Sequence, residues 1–460
     1  MPRKSRHKRV STELITSEIT QLSHEGRGIA HVNGKTTFVF GALPAETVQF
    51  KYTAIHRQFD EAVVVNVAEN PSPNRTTPPC AHFGVCGGCS LQHMTNDAQR
   101  RHKQKILLEH FQHQANCQPK EILPPLLGNA LGYRRKARLS VRYVPKKNAV
   151  LVGFRERGTR YVALINQCEI LHPVIGHKIK AFSELLMRLE KKSDIAQLEI
   201  AVGDTITAVI IRHMSELPNH DIQLLISFAK ENHLHFYLQP KGPETIHALY
   251  PAVPEELFYE IALNDTQNPE RQRVEAGNQQ SIRMSFKPDQ FTQINQEINM
   301  QMIDRAMQLL ELKSTDRVLD LFCGIGNFSL PIAKHCATVV GIEGAESAII
   351  QAKKNALENN INNAEFYTQD LIQDLQNAPW RKSKYDKVLL DPARAGAKEI
   401  LPYFTTWKPQ RIVYVSCNPI TLARDTADLI ALGYTLEKAG VMDMFPHTEH
   451  VEAIALFVTK

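Results

Sequence analysis

VLDLFCGIGNFSLPIA, residues 318–333, reads as a buried strand, a turn carrying Gly324 and Gly326, and the opening of a helix. Glycines in such a turn let the backbone approach a nucleotide-like ligand closely. Glu343 closes the next strand candidate, TVVGIE, about 20 residues on, where an acid can hold ribose hydroxyls. A dinucleotide enzyme calls for GxGxxG at this turn. The chain has Cys-Gly-Ile-Gly-Asn-Phe instead, which suits S-adenosylmethionine better.

Outward from this turn, helix-like segments alternate with the apolar runs RVLDLF, TVVGIE, AEFYTQD, KVLLDP and RIVYVSC. That rhythm predicts a doubly wound, Rossmann-like α/β domain over residues 281–460. KVLLDPARAG (387–396) places Asp391 and Arg394 just past one strand, and RIVYVSCNPITLARD (411–425) places Cys417 at the end of the next. Ligands of open α/β sheets bind outside the strand carboxyl ends, so Gly324, Glu343, Asp391 and Cys417 are expected to converge there. An arbitrary cysteine is more often a small core hydrophobe. Cys417, however, precedes Asn418-Pro419, a helix-start signature, and a helix N-terminus with Arg394 nearby is expected to lower its thiol pKa. PDQFTQINQE (288–297) opens the domain; Gln293 and Asn295 are placed to bond a ligand, although polar residues there are commonly caps.

The rest of the chain reads differently. Residues 3–9 carry five cations and no acid, a basic tail over residues 1–10 that is either solvated or laid on phosphates. Short alternating runs (TTFVF, TVQFKY, AVVVNV) and the Asn33-Gly34 turn predict a small β-barrel over 11–70. AENPSPNRTTPP (68–79), with four prolines, predicts an extended linker. Within a central α+β domain, 71–280, Thr95–Gln114 predicts a polar helix, while 132–147 and 153–165 predict strands with a cationic face. The net charge of +6 favours a polyanionic partner. No run approaches the ~18 apolar residues of a membrane span and no secretory signal is evident, so a cytoplasmic protein is expected.

Eight cysteines in such a chain point to metal ligation or catalysis rather than disulfides. CAHFGVCGGCS (80–90) gathers Cys80, Cys86 and Cys89, and Cys168 follows far along in INQCEIL. Four thiolates complete either a zinc site or an iron-sulfur cluster; three together with a distant fourth is more typical of the cluster.

With FxQxN, DLFCGxGNF, DPAR, SCNPxTLARD and HxExV in order, the whole chain resembles the RNA uracil-C5 methyltransferases, and within them the iron-sulfur enzymes that methylate 23S ribosomal RNA. The resemblance implies a TRAM-type barrel at the N-terminus, a central domain built around a 4Fe-4S cluster on Cys80, Cys86, Cys89 and Cys168, and a catalytic domain. It further implies S-adenosylmethionine contacts from Gln293, Phe322, Asn327, Glu343, Asp370 and Asp391. Uracil C5 is a weak nucleophile unaided, so thiolate addition at C6 by Cys417 is implied, with Glu452 taking the C5 proton and Glu449 a less favoured neighbour. A monomer acting on 23S ribosomal RNA is expected. The alternatives are a tRNA or another ribosomal uridine as substrate, or a non-catalytic iron-sulfur RNA-binding protein; Cys417, Glu452 and an intact cofactor loop together favour the enzyme.

Overall fold

The computed structural model describes residues 13–263, 281–373, 375 and 378–459. The basic tail lies outside the described residues. Contacts group the chain into two compact units: residues 1–103, 155–163 and 445–449, and residues 104–154, 164–444 and 450–460.

The first unit holds a six-stranded sheet of β1 (Ile15–Glu18), β2 (Gln21–Leu22), β3 (Gly28–Val32), β4 (Lys35–Phe40), β5 (Thr47–Ile55) and β6 (Phe59–Glu69) in the order β1-β5-β6-β4-β3-β2. Its strands alternate as the sequence predicts: Val48 and Phe50 of β5 are buried while Lys51 is exposed. Asn33, at φ 51°, and Gly34, at φ 78°, make the β3–β4 turn.

The proline-rich segment after β6 is not a free spacer. Buried Glu46 accepts from Arg75 Nε (2.5 Å) and Nη2 (2.6 Å), Ser72 N (3.0 Å) and Leu43 N (2.8 Å), which fastens the segment onto the sheet. Burial alone would raise the Glu46 carboxyl; the Arg75 fork and the two N–H groups outweigh it and hold the group below its ordinary range. Residues 155–163 also depart from expectation. They carry two isolated bridges, Arg155–Val162 and Glu156–Cys86, and turn at Gly158 instead of forming a strand. Their backbone bonds go to the cysteine segment, from Gly87 N to Arg155 O (2.8 Å) and from Arg157 N to Val85 O (2.9 Å).

Helix α1 (Asn96–Ala115) falls on the predicted span. In the second unit, β7 (Glu121–Ile122), β8 (Lys136–Val144), β9 (Ala149–Gly153), α2 (Pro173–Gly176), α3 (Ile179–Met187), β10 (Ile195–Val202), β11 (Thr207–His213), α4 (Asn219–Glu231), β12 (His235–Gln239) and β13 (His247–Tyr250) come first. All of these strands except β7 form a sheet in the order β13-β12-β11-β10-β8-β9. Along β8, Ala137, Leu139 and Val141 are buried and Arg138 and Arg142 exposed, giving the expected cationic face. Lys136 is the exception. It turns inward to donate to Pro288 O (3.0 Å), and burial brings its pKa down to about 8.

The hairpin β14 (Leu257–Ala262) and β15 (Ser281–Phe286) precedes α5 (Gln296–Leu310) and the α/β layer. That layer contains β16 (Arg317–Leu321), α6 (Ser329–Ala333), β17 (Thr338–Glu343), α7 (Glu346–Glu358), β18 (Ala364–Thr368), β19 (Lys387–Leu390), α8 (Phe404–Trp407), β20 (Arg411–Ser416), α9 (Pro419–Ala431), β21 (Tyr434–Met442) and β22 (Glu452–Thr459). The sheet runs β18-β17-β16-β19-β20-β22-β21-β7, parallel from β18 to β20, with β22 antiparallel to both its neighbours. Strand order reverses between β16 and β19, the switch point at which such sheets open a crevice. Near-continuous apolar runs bury β16, β17, β19 and β20 on both faces, as a helix-covered parallel sheet requires, while the edge strand β18 buries only Phe366. No helix among the described residues is long and apolar enough to cross a membrane.

Replacing Glu46 by Gln should cost about 3 kcal/mol, because the Arg75 cation is left without its counter-charge. A carboxyl held low in the fold stabilises it above the unfolded value near 4.5, and that contribution is lost as pH falls through the lower folded value. The gap between wild type and Glu46→Gln, read from hydrogen exchange of β5 amides, should therefore be widest at neutral pH and close in acid. A gap independent of pH would contradict the assignment.

Candidate active site

At the end of β16 the chain turns through Phe322 (φ 67°), Gly324 (φ 55°) and Gly326 (φ 93°). A Cβ on Gly324 would meet nothing within 4 Å, so the turn leaves open space above its backbone, as a closely approaching ligand requires. Phe322 holds a conformation uncommon for a side-chain-bearing residue, fixed because its N–H and that of Cys323 both bond Ile342 O (2.8 and 3.0 Å). Glu343, ending β17, braces the turn from the side: one carboxylate oxygen accepts from Gly324 N (3.2 Å), the other from Ala345 N (2.9 Å). Asp370 lies exposed after β18 and accepts from Ile372 N (3.0 Å). Asn295 is the N-cap of α5, accepting from Ile298 N (3.3 Å); Gln293 lines a pocket with Thr292, Tyr259 and Asn299.

The sequence reading passed over Asp320. It is fully buried beneath the turn, bonded to Ser329 Oγ, with its Oδ1 lacking a hydrogen-bond partner. Burial, with Asp391 and Glu343 nearby, lifts its pKa to about 7, and burial does the same for Asp391. Its signal was the lone acid inside the apolar run VLDLF.

Cys417 follows β20 and precedes α9. Asn418 caps that helix, accepting from Ile420 N (3.1 Å), and Pro419 opens it, as predicted. The loop after β19 is tied to the same helix. Asn418 Nδ2 and Thr421 Oγ1 donate to Arg394 O (3.0 and 3.2 Å), while buried Asp425 accepts from Ala397 N and the Tyr414 hydroxyl, each at 2.7 Å. Across the sheet Ser416 pairs with Ala453, so the next residues outward, Cys417 and Glu452, stand opposite each other. Arg394 Nη2 reaches His450 Nδ1 at 3.1 Å.

The thiol pKa runs against the sequence expectation. Burial, then the Glu452 and Asp391 carboxylates, push Cys417 up to about 11; Arg394 pulls it down by less. Helix N-terminus and arginine are both in place, but desolvation and two anions outweigh them. In the free protein Cys417 is a protonated thiol.

Of the candidate metal ligands, Cys80, Cys86 and Cys89 share a loop of the first unit, and all are free thiols. Backbone bonds from Phe83 N to Cys80 O (3.1 Å) and Cys86 N to His82 O (3.0 Å) fold the loop, and Gly88 N points at Cys86 Sγ (3.5 Å). Four thiolates 2.3 Å from one zinc would lie within about 4 Å of each other. These three sulfurs are not among the donor sets within 4.8 Å; Glu190, His220 and Asp221 of the second unit are. Cys168 belongs to the second unit, buried, its N–H bonded to Gly176 O (2.9 Å). Glu449 belongs to the first unit and bonds Ser90.

Known proteins bear directly on this geometry. The family described as tRNA (uracil-5-)-methyltransferase matches residues 267–460. A protein of Francisella tularensis subsp. holarctica named 23S rRNA (uracil(1939)-C(5))-methyltransferase RlmD is 47% identical over 99% of both chains. Proteins of the same name from Alcanivorax borkumensis and Hahella chejuensis are 45% and 46% identical over 96–99% of each chain. The crystal structure of Pyrococcus abyssi tRNA (uracil-54, C5)-methyltransferase with S-adenosyl-L-homocysteine superposes with TM-score 0.68 at 21% identity, covering 96% of this chain and 100% of that one, and so shares the fold.

If Glu452 faces the sulfur, Glu452→Gln should lower the Cys417 pKa. Iodoacetamide labelling of the Cys417 peptide at pH 9, followed by mass spectrometry, should then run roughly threefold faster or more, and Arg394→Gln should slow it. An unchanged rate in both variants would separate these charges from the thiol.

Proposed function

Since the chain belongs to the family of 23S ribosomal RNA (uracil-C5)-methyltransferases called RlmD, we propose that it methylates carbon 5 of a uracil in 23S ribosomal RNA through a covalent bond to Cys417. The observation that carries the proposal is the placing of Cys417 opposite Glu452, beside Asp391, at the carboxyl end of the sheet.

The turn at 322–327, with Gln293, Glu343, Asp370 and Asp391, would hold S-adenosylmethionine; the open face of Gly324 and the two acids that end their strands suit it. That cofactor supplies an electrophilic methyl group. Cys417 Sγ adds to C6 of the uracil, giving up its proton and turning C5 into an enolate carbon. A thiol near 11 is a poor nucleophile at neutral pH, so Arg394 and the α9 N-terminus serve to stabilise the thiolate once the substrate has arrived. When C5 has been methylated, Glu452 removes the C5 proton, the C6–S bond breaks, and the thiolate is released. The products are 5-methyluridine, the demethylated cofactor and one proton.

A uracil inside a helix cannot present C6 to a half-buried thiol, so the target is read as a loop nucleotide or one turned out of its stack. We read the first unit's sheet as a TRAM-type barrel, and that sheet and the Arg138–Arg142 face of β8 as RNA-gripping surfaces. Cys80, Cys86, Cys89 and Cys168 would hold a 4Fe-4S cluster; the all-thiol donor set supports this. Residues 11–70, 71–280 and 281–460 serve as barrel, cluster and catalytic domains, in a monomer working in the cytoplasm.

Cys417→Ala should abolish methyl transfer to ribosomal RNA while RNA affinity stays within about twofold of wild type; substantial residual methylation would refute the covalent route. Glu452→Gln should accumulate a denaturation-resistant protein–RNA adduct, visible as a shifted gel band, whereas rapid turnover without adduct would remove Glu452 from the base role. Cys86→Ala should lose iron and lower the unfolding temperature. Full retention of both would clear Cys86 of ligation.

A further inference from the structure

Asn327, in the turn after β16, is gripped from two other elements. Its Oδ1 accepts from the Tyr259 hydroxyl of β14 (2.9 Å) and from Asn299 Nδ2 of α5 (3.0 Å), and its Nδ2 donates to Asn299 Oδ1 (2.8 Å). The two amides thus form a closed ring of paired hydrogen bonds. By itself such a pair is symmetric: turning both amides over would restore both bonds with donors and acceptors exchanged. Tyr259 breaks the symmetry. Its phenol is buried, and burial together with Asp204 raises its pKa, so it stays protonated and its hydrogen needs an acceptor. Only the orientation with Asn327 Oδ1 toward Tyr259 supplies one.

The accounting then leaves one possibility for Asn327. An amide oxygen has two acceptor sites and both are filled; the nitrogen has two hydrogens and one is used. The remaining capacity is a single N–H. We infer that Tyr259 and Asn299 are positioning residues that lock Asn327 as a hydrogen-bond donor, so that the cofactor must present it an acceptor atom. The inference rests on the proposed role of Asn327 as a cofactor contact. Tyr259 and Asn299 line the same pocket as Gln293, so the residues that orient the amide also shape the space beside it. A tilted ring contact of Tyr259 with Phe286 (centroids 6.0 Å apart, planes at 51°) packs the phenol from one side.

The test is calorimetric binding of S-adenosylhomocysteine to the full-length protein, with kcat and KM measured on ribosomal RNA. Asn299→Ala should weaken binding about tenfold and Tyr259→Phe about fivefold. The double variant should be little worse than Asn299→Ala, because both act through one amide. Each should raise the KM for the cofactor with kcat nearly kept, a split that general loosening of the fold would not produce. Asn327→Asp leaves an oxygen for Tyr259 and Asn299 Nδ2 but loses both N–H groups, the one bonded to Asn299 Oδ1 and the outgoing one, so it should weaken binding at least tenfold and lower the thermal midpoint by a few degrees. Should Asn299→Ala not fold, Tyr259→Phe and Asn327→Asp carry the test. Wild-type affinity in Tyr259→Phe and Asn299→Ala, beside weakened binding in Asn327→Ala, overturns the inference alone. Wild-type affinity in Asn327→Ala overturns the cofactor role of Asn327 and the inference with it.

Discussion

Strand polarity is the constraint on which the catalytic half of this protein depends. Because β16 pairs in parallel with β17 on one side and β19 on the other, the turns that follow all three strands, and the one after β20, leave the sheet at the same end. The glycine turn, Glu343, Asp391 and Cys417 therefore gather without any of them being close in sequence. Hydrogen bonds then tie each loop to its neighbour as well as to itself: Glu343 to Gly324 and Ala345, Asn418 to Arg394 and Ile420, Asp425 to Ala397. A sheet supplies the meeting point and short-range polar ties supply the aim.

The same crowding sets the electrostatics. Asp320 and Asp391 are both raised to about 7 and Cys417 to about 11, so at neutral pH the two aspartates are only partly ionised and the thiol is protonated when nothing is bound. A desolvated crevice cannot hold several anions at once. An incoming cationic cofactor would change that balance in favour of the carboxylates, since a positive charge beside them repays their lost hydration.

Much of this was legible in the sequence, for stated reasons. Four strands of the parallel layer were readable because burial on both faces demands unbroken apolar runs such as KVLL and RIVYV, and the cap and first residue of α9 because Asn-Pro allows little else. The Cys417 pKa was misread because the sequence shows the helix start beside the thiol but not the depth of burial, nor Glu452, which arrives from 35 positions away through strand pairing. The alternation of cations with apolar residues over 153–165 predicts a strand, yet Arg155 and Arg157 find backbone partners in the cysteine loop. Tyr259 and Asn299 carried no local mark at all: their role exists only where a hairpin, a helix and a turn meet.

The position of β22 has a consequence for how the chain is built. It is the latest of the sheet's strands in sequence, yet it lies inside the sheet, between β20 and β21. Until it arrives, both neighbours keep open edges and Cys417 stands without the carboxylate that begins the incoming strand. Biosynthesis thus adds the carboxylate opposite Cys417 in the same step that closes the sheet, so the pair is completed only when the architecture is sealed.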